Sequence, residues 1–157
     1  MSKNVGKLFE EDFITSVPVN VFNFRFRDLP YFLTKNSKYS VNNNPCDFLI
    51  YKEYLYTLEL KSCAGTSYPT SNTRINQVEG LLKFNIMDKV VSGFIINMRK
   101  YDETYFIHIL DYIKLTKDKK SINIKELRVF GVRIGQELKR TRYRYNIEDL
   151  FKITVDK

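Results

Sequence analysis

The sequence predicts a single mixed α/β domain. Three observations carry this: an apolar stripe at helical spacing near the N-terminus, a pair of short apolar segments joined by a two-residue link, and a second helical stripe followed by further strand-like segments. A chain of 157 residues suits one domain with a sizeable core.

In residues 3–17, Val5, Leu8, Phe9 and Phe13 recur at i, i+3, i+4 and i+8, and Pro18 stops the helix they define. Residues 19–27, VNVFNFRFR, alternate apolar and polar from Val21 onward and read as a strand. Residues 34–45 are polar and rich in asparagine, so they read as loop. Cys46–Tyr51 and Tyr54–Ser62 read as two strands, and the tight Lys52-Glu53 link makes them an antiparallel hairpin. Residues 63–73 read as loop, ending in Ser71, Asn72 or Thr73 as the cap of a helix that runs to about Met87. Ile75, Val78, Leu82 and Ile86 lie within one narrow arc of that helix, while Gln77 shares another with Arg74 and Leu81. Val91–Met98 and Thr104–Ile109 are strands around a turn at Tyr101-Asp102-Glu103, and Asp111–Asp118 reads as a short helix. A basic stretch from Lys139 to Arg144 precedes a short helix near Ile147–Phe151.

The formal net charge of +8 favours a polyanionic partner, nucleic acid before an anionic membrane; the plain alternative is a solvated basic surface. No run of about 18 apolar residues exists, so no membrane-spanning segment is expected. The N-terminal MSKNVGKLFEEDF lacks the apolar core of a signal peptide, and the expected location is the cytoplasm. Cys46 and Cys63 make no metal-binding pattern and read as small buried residues.

The stretch NPCDFLIYKEYLYTLELKS sets charges into apolar strands. Glu59 and Lys61 are two apart and project from one face of their strand, while Leu58 and Leu60 point the other way. On the partner strand Asp47 shares parity with Leu49 and Tyr51, so a hairpin can gather Asp47, Glu59 and Lys61. Two carboxylates held close repel, and each raises the pKa of the other. A divalent cation removes that cost; hard oxygen ligands suit Mg²⁺, which takes one or two carboxylates and keeps waters for substrate phosphate. Such a site supports phosphoryl chemistry. The plain reading makes Asp47 a turn cap and Glu59–Lys61 a solvated edge.

The D-x11-E-L-K arrangement, preceded by Pro45, resembles the PD-(D/E)XK nuclease superfamily, and within it the RecU-type Holliday-junction resolvases of Gram-positive bacteria and their phages. GKLFEEDF resembles that family's first helix, ELKSCAGTSYP its catalytic strand and following loop, and RINQVEGL its next helix. GFIINMRKYDETYFI and KSINIKELRVFGVRI resemble later segments in the same order. The resemblance implies a restriction-endonuclease-like αβββαβ core with a mixed central sheet, a homodimer, and Mg²⁺-dependent cutting of branched DNA, the four-way junction above all, with Mn²⁺ as a substitute ion. By position it implies Asp47 and Glu59 as metal ligands with the Leu60 carbonyl as a third, Lys61 orienting the nucleophilic water, Glu10 assisting from the first helix, and Gln77 steadying the site or touching DNA. Glu11 and Asp12 leave the register of Glu10 open.

Residues 18–45 stand where the family carries a stalk that enters the junction, and their pattern matches it poorly. Arg25, Arg27, Lys35 and Lys38 there, with Arg74 at the start of the second helix, are candidate DNA contacts. The aromatics between them suit either a core or stacking on exposed bases. His108 reads as a packed or surface residue, and LKRTRYRY as either a DNA-contacting edge or a soluble strand. The alternatives to junction resolution are a related nuclease acting on flaps or other replication intermediates, and a non-catalytic DNA-binding scaffold.

Overall fold

A computed structural model of the protein describes residues 4–26 and 44–153. The expectations for Arg27, Lys35 and Lys38, and for most of the stalk-like insertion, lie outside the described residues. Helix α1 (Val5–Thr15) opens the fold, with the Asn4 side chain accepting from the Gly6 N–H as its cap. Strand β1 (Phe22–Arg25) follows, and β2 (Phe48–Tyr51) and β3 (Leu55–Cys63) pair as the expected antiparallel hairpin, though through three residues, Lys52–Tyr54, and not two. Helix α2 (Ile75–Asn85) then crosses to β5 (Val90–Met98), which lies parallel to β3 along nine residue pairs. β6 (Glu103–His108) returns antiparallel; between it and β5 comes a 3₁₀ turn (Arg99–Tyr101), closed by left-handed Asp102.

These strands and β8 (Val132–Ile134) form one six-stranded sheet in the order β1-β2-β3-β5-β6-β8. Only β3–β5 is parallel, so the central sheet is mixed, as expected. On one face α1 sets Phe9 and Phe13 against Phe48, Leu58 and Tyr145. The opposite face is covered by α2, by α3 (Ile109–Thr116) and by α4 (Ile124–Phe130), whose Leu81, Tyr112 and Leu127 pack with Phe94, Ile96 and Tyr105. A hairpin of β9 (Gln136–Lys139) and β10 (Arg142–Tyr145) and a last short helix, α5 (Glu148–Phe151), complete the described chain.

Several elements differ from expectation. The loop predicted over 63–73 contains β4 (Ser67–Pro69), which pairs with β7 (Ser121–Asn123) and buries Tyr68 completely. None of Ser71, Asn72 and Thr73 caps α2; the cap position is Arg74. Thr73 is occupied otherwise: its hydroxyl lies 2.7 Å from the Tyr68 hydroxyl and accepts from Tyr112 at 2.8 Å. Of the apolar arc of α2, Ile75 and Ile86 face outward, 73% and 78% exposed, while Val78 packs against the core and Leu81 on the Gln77 arc is fully buried. β1 is an edge strand whose Phe22 and Phe24 stay exposed. The basic LKRTRYRY run is the β9–β10 hairpin, and Arg142 is a structural pin: it donates to the buried carboxylate of Asp12, and at 3.1 Å to Glu11, tying β10 to α1.

Candidate active site

Period-two alternation decides which side chains meet. Phe48 stands opposite Leu58, and continuing the register by one residue sets Asp47 opposite Glu59. Opposed residues share a face, so Asp47, Glu59 and Lys61 project to the side of the sheet that α2 covers, while Phe48, Leu58 and Leu60 enter the α1 core. The backbone of Asp47 is fixed on both sides: its N–H donates to Leu58 O at 3.0 Å, and its C=O accepts from Phe26 N at 2.9 Å. Its carboxylate turns back along β3 and accepts from the Leu60 N–H at 2.7 Å.

Glu59 is the most enclosed member, at 2% exposure. Its Oε1 accepts from Lys61 Nζ at 3.0 Å and from the side-chain amide of Gln77. Gln77 Oε1 in turn accepts from Lys61 Nζ at 3.0 Å and from the Arg74 backbone N–H at 3.0 Å. Gln77 sits in the first turn of α2, so this last bond satisfies a helix-end donor while the other two reach down to the sheet. Glu59, Lys61 and Gln77 thus form a closed triangle in which every polar atom named has a partner.

Burial pushes the Glu59 carboxyl above the ordinary carboxylate range; the charge and hydrogen bond of Lys61 and the bond from Gln77 oppose the rise, and the nearby charge of Glu10 adds to it. The buried Cys46 thiol feels the same field: burial, then Glu59, then Asp47 push it up to about 12. Negative charge is therefore concentrated where the end of β2 meets the middle of β3. Among the described residues no group of three or more His, Cys, Asp or Glu side chains could hold a metal. Asp47 and Glu59 offer hard carboxylate oxygens from one face of the sheet, a donor type that suits Mg²⁺ carrying several waters.

The three adjacent acids of α1 have different surroundings. Asp12 is buried and also accepts from the Tyr143 N–H at 3.1 Å; Glu11 is held by Arg142. Glu10 accepts from Arg25 and is the one whose charge reaches Glu59. Arg25 accordingly lies in an ion pair, with its guanidinium 5.7 Å from the centre of the Phe48 ring. Sequence reasoning did not anticipate this partner, since a contact across fifteen residues leaves no local pattern. It also passed over Gly80, which brings α2 against the chain just before Asp47: a β-carbon there would stand 2.6 Å from the Pro45 carbonyl oxygen. A glycine in mid-helix was the available signal. Arg74 is exposed at the start of α2, beside the triangle.

The sheet topology and the Asp–Glu-x-Lys constellation define a chain of the restriction-endonuclease-like nuclease class. It belongs to the recombination protein U family, RecU, whose model matches residues 15–146. That span includes Asp47, Glu59, Lys61 and Gln77, and leaves Glu10 outside it. The chain is 28% identical over 168 residues to YotM, an SPbeta prophage-derived uncharacterized protein of Bacillus subtilis strain 168, covering 95% of this chain and 86% of that protein. In fold it is similar to Hjc of Archaeoglobus fulgidus, a Holliday junction resolvase from an archaeal hyperthermophile. That match has a TM-score of 0.51 at 13% identity, covering 81% of this chain and 87% of the other. No helix among the described residues is long and apolar enough to cross a membrane.

Proposed function

We propose that this protein is a Mg²⁺-dependent endonuclease that resolves four-way DNA junctions by two symmetric nicks, working as a homodimer. The observation that carries the reading is the triangle of Glu59, Lys61 and Gln77 beside Asp47, on one face of the sheet and within the span matched to the family. Asp47, Glu59 and the Leu60 carbonyl would hold the ion, with Mn²⁺ as a substitute. When bound, the ion supplies a water of lowered pKa and offsets charge developing on the phosphate.

The chain's own groups do the rest. Lys61 carries a fixed positive charge to the edge of the carboxylate pair, where it orients the attacking water and stabilises the pentavalent phosphate. Gln77 holds both Glu59 and Lys61, so their relative positions are set before substrate arrives. Glu10 adds a further carboxylate from α1. Arg25, Arg27, Lys35 and Arg74 bind the DNA backbone; of the stalk-like insertion expected over 18–45, Phe22–Arg25 belongs instead to the central sheet of the nuclease domain.

One chain holds one such set, so paired incision of a two-fold substrate takes two chains, most simply in a C₂ arrangement. The test is incubation with labelled four-way junction, flap and linear duplex, with and without Mg²⁺ or Mn²⁺. Paired cuts in the junction alone, dependent on metal, support the reading. Preferential cutting of flaps would make it a nuclease of other replication intermediates, and tight binding without cutting would make it a scaffold.

A further inference from the structure

Three hydroxyls converge on one point just ahead of α2. Tyr68 comes from β4, Tyr112 from α3, and Thr73 from the residue before Arg74. The Tyr112 hydroxyl donates to Thr73 Oγ1 at 2.8 Å, and the Tyr68 hydroxyl lies 2.7 Å from the same oxygen. Tyr68 is fully buried and Tyr112 nearly so. A threonine hydroxyl has one proton and two lone pairs, so Thr73 serves both phenols and leaves neither stranded. Burial holds both phenols protonated, above the ordinary value of 10, although the bonds to Thr73 oppose the rise.

The cluster stands on the active-site face of the sheet. Phe94 pairs with Glu59 along the parallel β3–β5 ladder, and the Tyr112 ring packs on Phe94 with centres 4.2 Å apart. The charge of Glu59 is itself among the causes that raise the Tyr68 pKa. Thr73 also has a direct link to the triangle of Glu59, Lys61 and Gln77. Gln77 Oε1 accepts from the Arg74 N–H at 3.0 Å, and that N–H belongs to the rigid peptide plane between Thr73 and Arg74. Holding the Thr73 side chain therefore aims the N–H. The backbone N–H of Thr73 donates to Thr70 O at 3.0 Å, which fixes the residue from its other side. A threonine ahead of a helix ordinarily offers its hydroxyl to the first turn; here that hydroxyl goes to the tyrosines instead.

We infer that Thr73 is a positioning residue: gripped by Tyr68 and Tyr112, it aims the Arg74 N–H that holds Gln77 across Glu59 and Lys61. The inference rests on the reading of that triangle as the nuclease site and adds a group behind it. Hydroxyls that only satisfied one another in the core would leave Gln77 where it is when they were removed together.

The test separates stability from position. Thr73→Val keeps the shape but strands two buried phenols, so it should both destabilise the chain and slow it. Adding Tyr68→Phe and Tyr112→Phe removes all the polar groups at once, strands nothing, and should return the melting temperature to near the wild-type value. The triple variant should still cut four-way junctions at least about tenfold more slowly in single turnover, at unchanged junction affinity, because the aim of Gln77 is lost. Thr73→Ser keeps the hydroxyl and should keep the rate. A readout without DNA or metal is the Gln77 side-chain amide in ¹⁵N–¹H spectra of the full chain, identified by its absence in Gln77→Met. Its two resonances should stand apart from those of free side-chain amides in the wild type and in Thr73→Ser, and move to the free position in the triple variant. Tyr112→Phe alone strands no group, since Thr73 keeps Tyr68, and should show part of the same displacement at unchanged stability.

A folded triple variant that cuts at the wild-type rate, or whose Gln77 amide stays in place, would overturn the inference. So would an unmoved amide in Tyr112→Phe, or a slow Thr73→Ser. A wild-type chain that cuts nothing while its Gln77 amide responds to these changes keeps the positioning role and removes the nuclease. Metal-dependent cutting with an amide indifferent to Thr73 does the reverse.

Discussion

Gly80→Ala puts a small, defined displacement into the active site from outside it. The added β-carbon would lie 2.6 Å from the Pro45 carbonyl oxygen and 3.3 Å from the Pro45 carbonyl carbon and Cα, where ordinary contact begins near 3.4 Å. Both neighbours are backbone, so no side chain can rotate away, and either α2 or the segment before Asp47 must move by about 0.8 Å. Alanine stabilises a helix interior by about 1 kcal/mol over glycine. Overpacking of this size costs about 1–3 kcal/mol. The net loss is therefore at most about 2 kcal/mol, a few degrees in melting temperature. Catalytic groups tolerate about 0.5 Å of error, and a 1 Å misplacement costs about a hundredfold. Gln77 and Asp47 lie on the two sides of the contact, so the variant should cut four-way junctions about ten- to a hundredfold more slowly while remaining folded. Single-turnover cleavage in Mg²⁺, paired with thermal denaturation, reads both quantities. A folded variant cleaving at the wild-type rate would refute the claim that the α2–Pro45 approach sets the site.

Other outcomes follow from the same geometry. Asp47→Asn should abolish cutting and leave DNA binding nearly intact, because it removes an ion ligand and not a phosphate contact; normal cleavage in Mg²⁺ would sink the ligand assignment. Lys61→Ala should lose at least about tenfold in cleavage, and its melting temperature should fall as well, because buried Glu59 loses its charged partner; wild-type activity in the folded variant would make the lysine purely structural. Binding should weaken steeply with salt, at a log–log slope near −0.9 for each phosphate neutralised, and replacing Arg25 and Arg27 with glutamine should flatten it by about one to two units. An unchanged slope would move the DNA surface elsewhere, the β9–β10 hairpin first. His108 accepts from the Leu110 N–H at the start of α3, and burial lowers its pKa from the ordinary 6.5, opposed by Asp111. The unfolded chain then binds the proton first, so stability should fall as pH drops through 6.5 toward the lower folded value, and the His108→Asn variant should lose that slope in melting curves taken between pH 5 and 7.

The parts of this molecule written in short-range patterns were legible. Period-two alternation was enough to put Glu59 and Lys61 on one face, but not to add Asp47: a two-residue Lys52-Glu53 link would set Asp47 opposite Leu58, and it is the three-residue link Lys52–Tyr54 that sets it opposite Glu59. Strands of three residues were not legible: Ser67–Pro69 and Ser121–Asn123 are too short to show a period, and they exist because each supplies the other's partner. Helix α4 was overlooked despite a readable cap. Asn123 accepts from the Glu126 N–H and Glu126 accepts from the Asn123 N–H, a reciprocal pair three residues apart ahead of an apolar run. The anchoring of Asp12 by Arg142 and of Glu10 by Arg25 could not be read, because nothing in a sequence ties acids on the first helix to those particular cations.

Helix α2 shows why periodicity alone misplaces a face. Its sequence holds two stripes: Ile75, Val78, Leu82 and Ile86, and a mixed one of Gln77, Leu81 and Phe84. Hydrophobicity favours burying the first. The fold buries Leu81 of the second and leaves Ile75, Leu82 and Ile86 of the first outside, with only Val78 against the core, and the reason is local to the site. A carboxylate as enclosed as Glu59 must be hydrogen-bonded, and Lys61 alone leaves it above its ordinary pKa even with Gln77 in place. Turning Gln77 outward would remove a donor from Glu59 and an acceptor from Lys61 together, stranding two charges that are nearly out of solvent. That cost is of the same size as what is lost by leaving Ile75 and Ile86 in water, at about 1.5–3 kcal/mol for each fully exposed side chain, and the same rotation would also expose the fully buried Leu81, which tips the balance. The chemistry of the sheet face therefore decides the rotation of the helix, and the rotation leaves an apolar seam unsatisfied in a single chain. The polar triangle inside and the exposed apolar side chains outside are thus consequences of one choice of helix face.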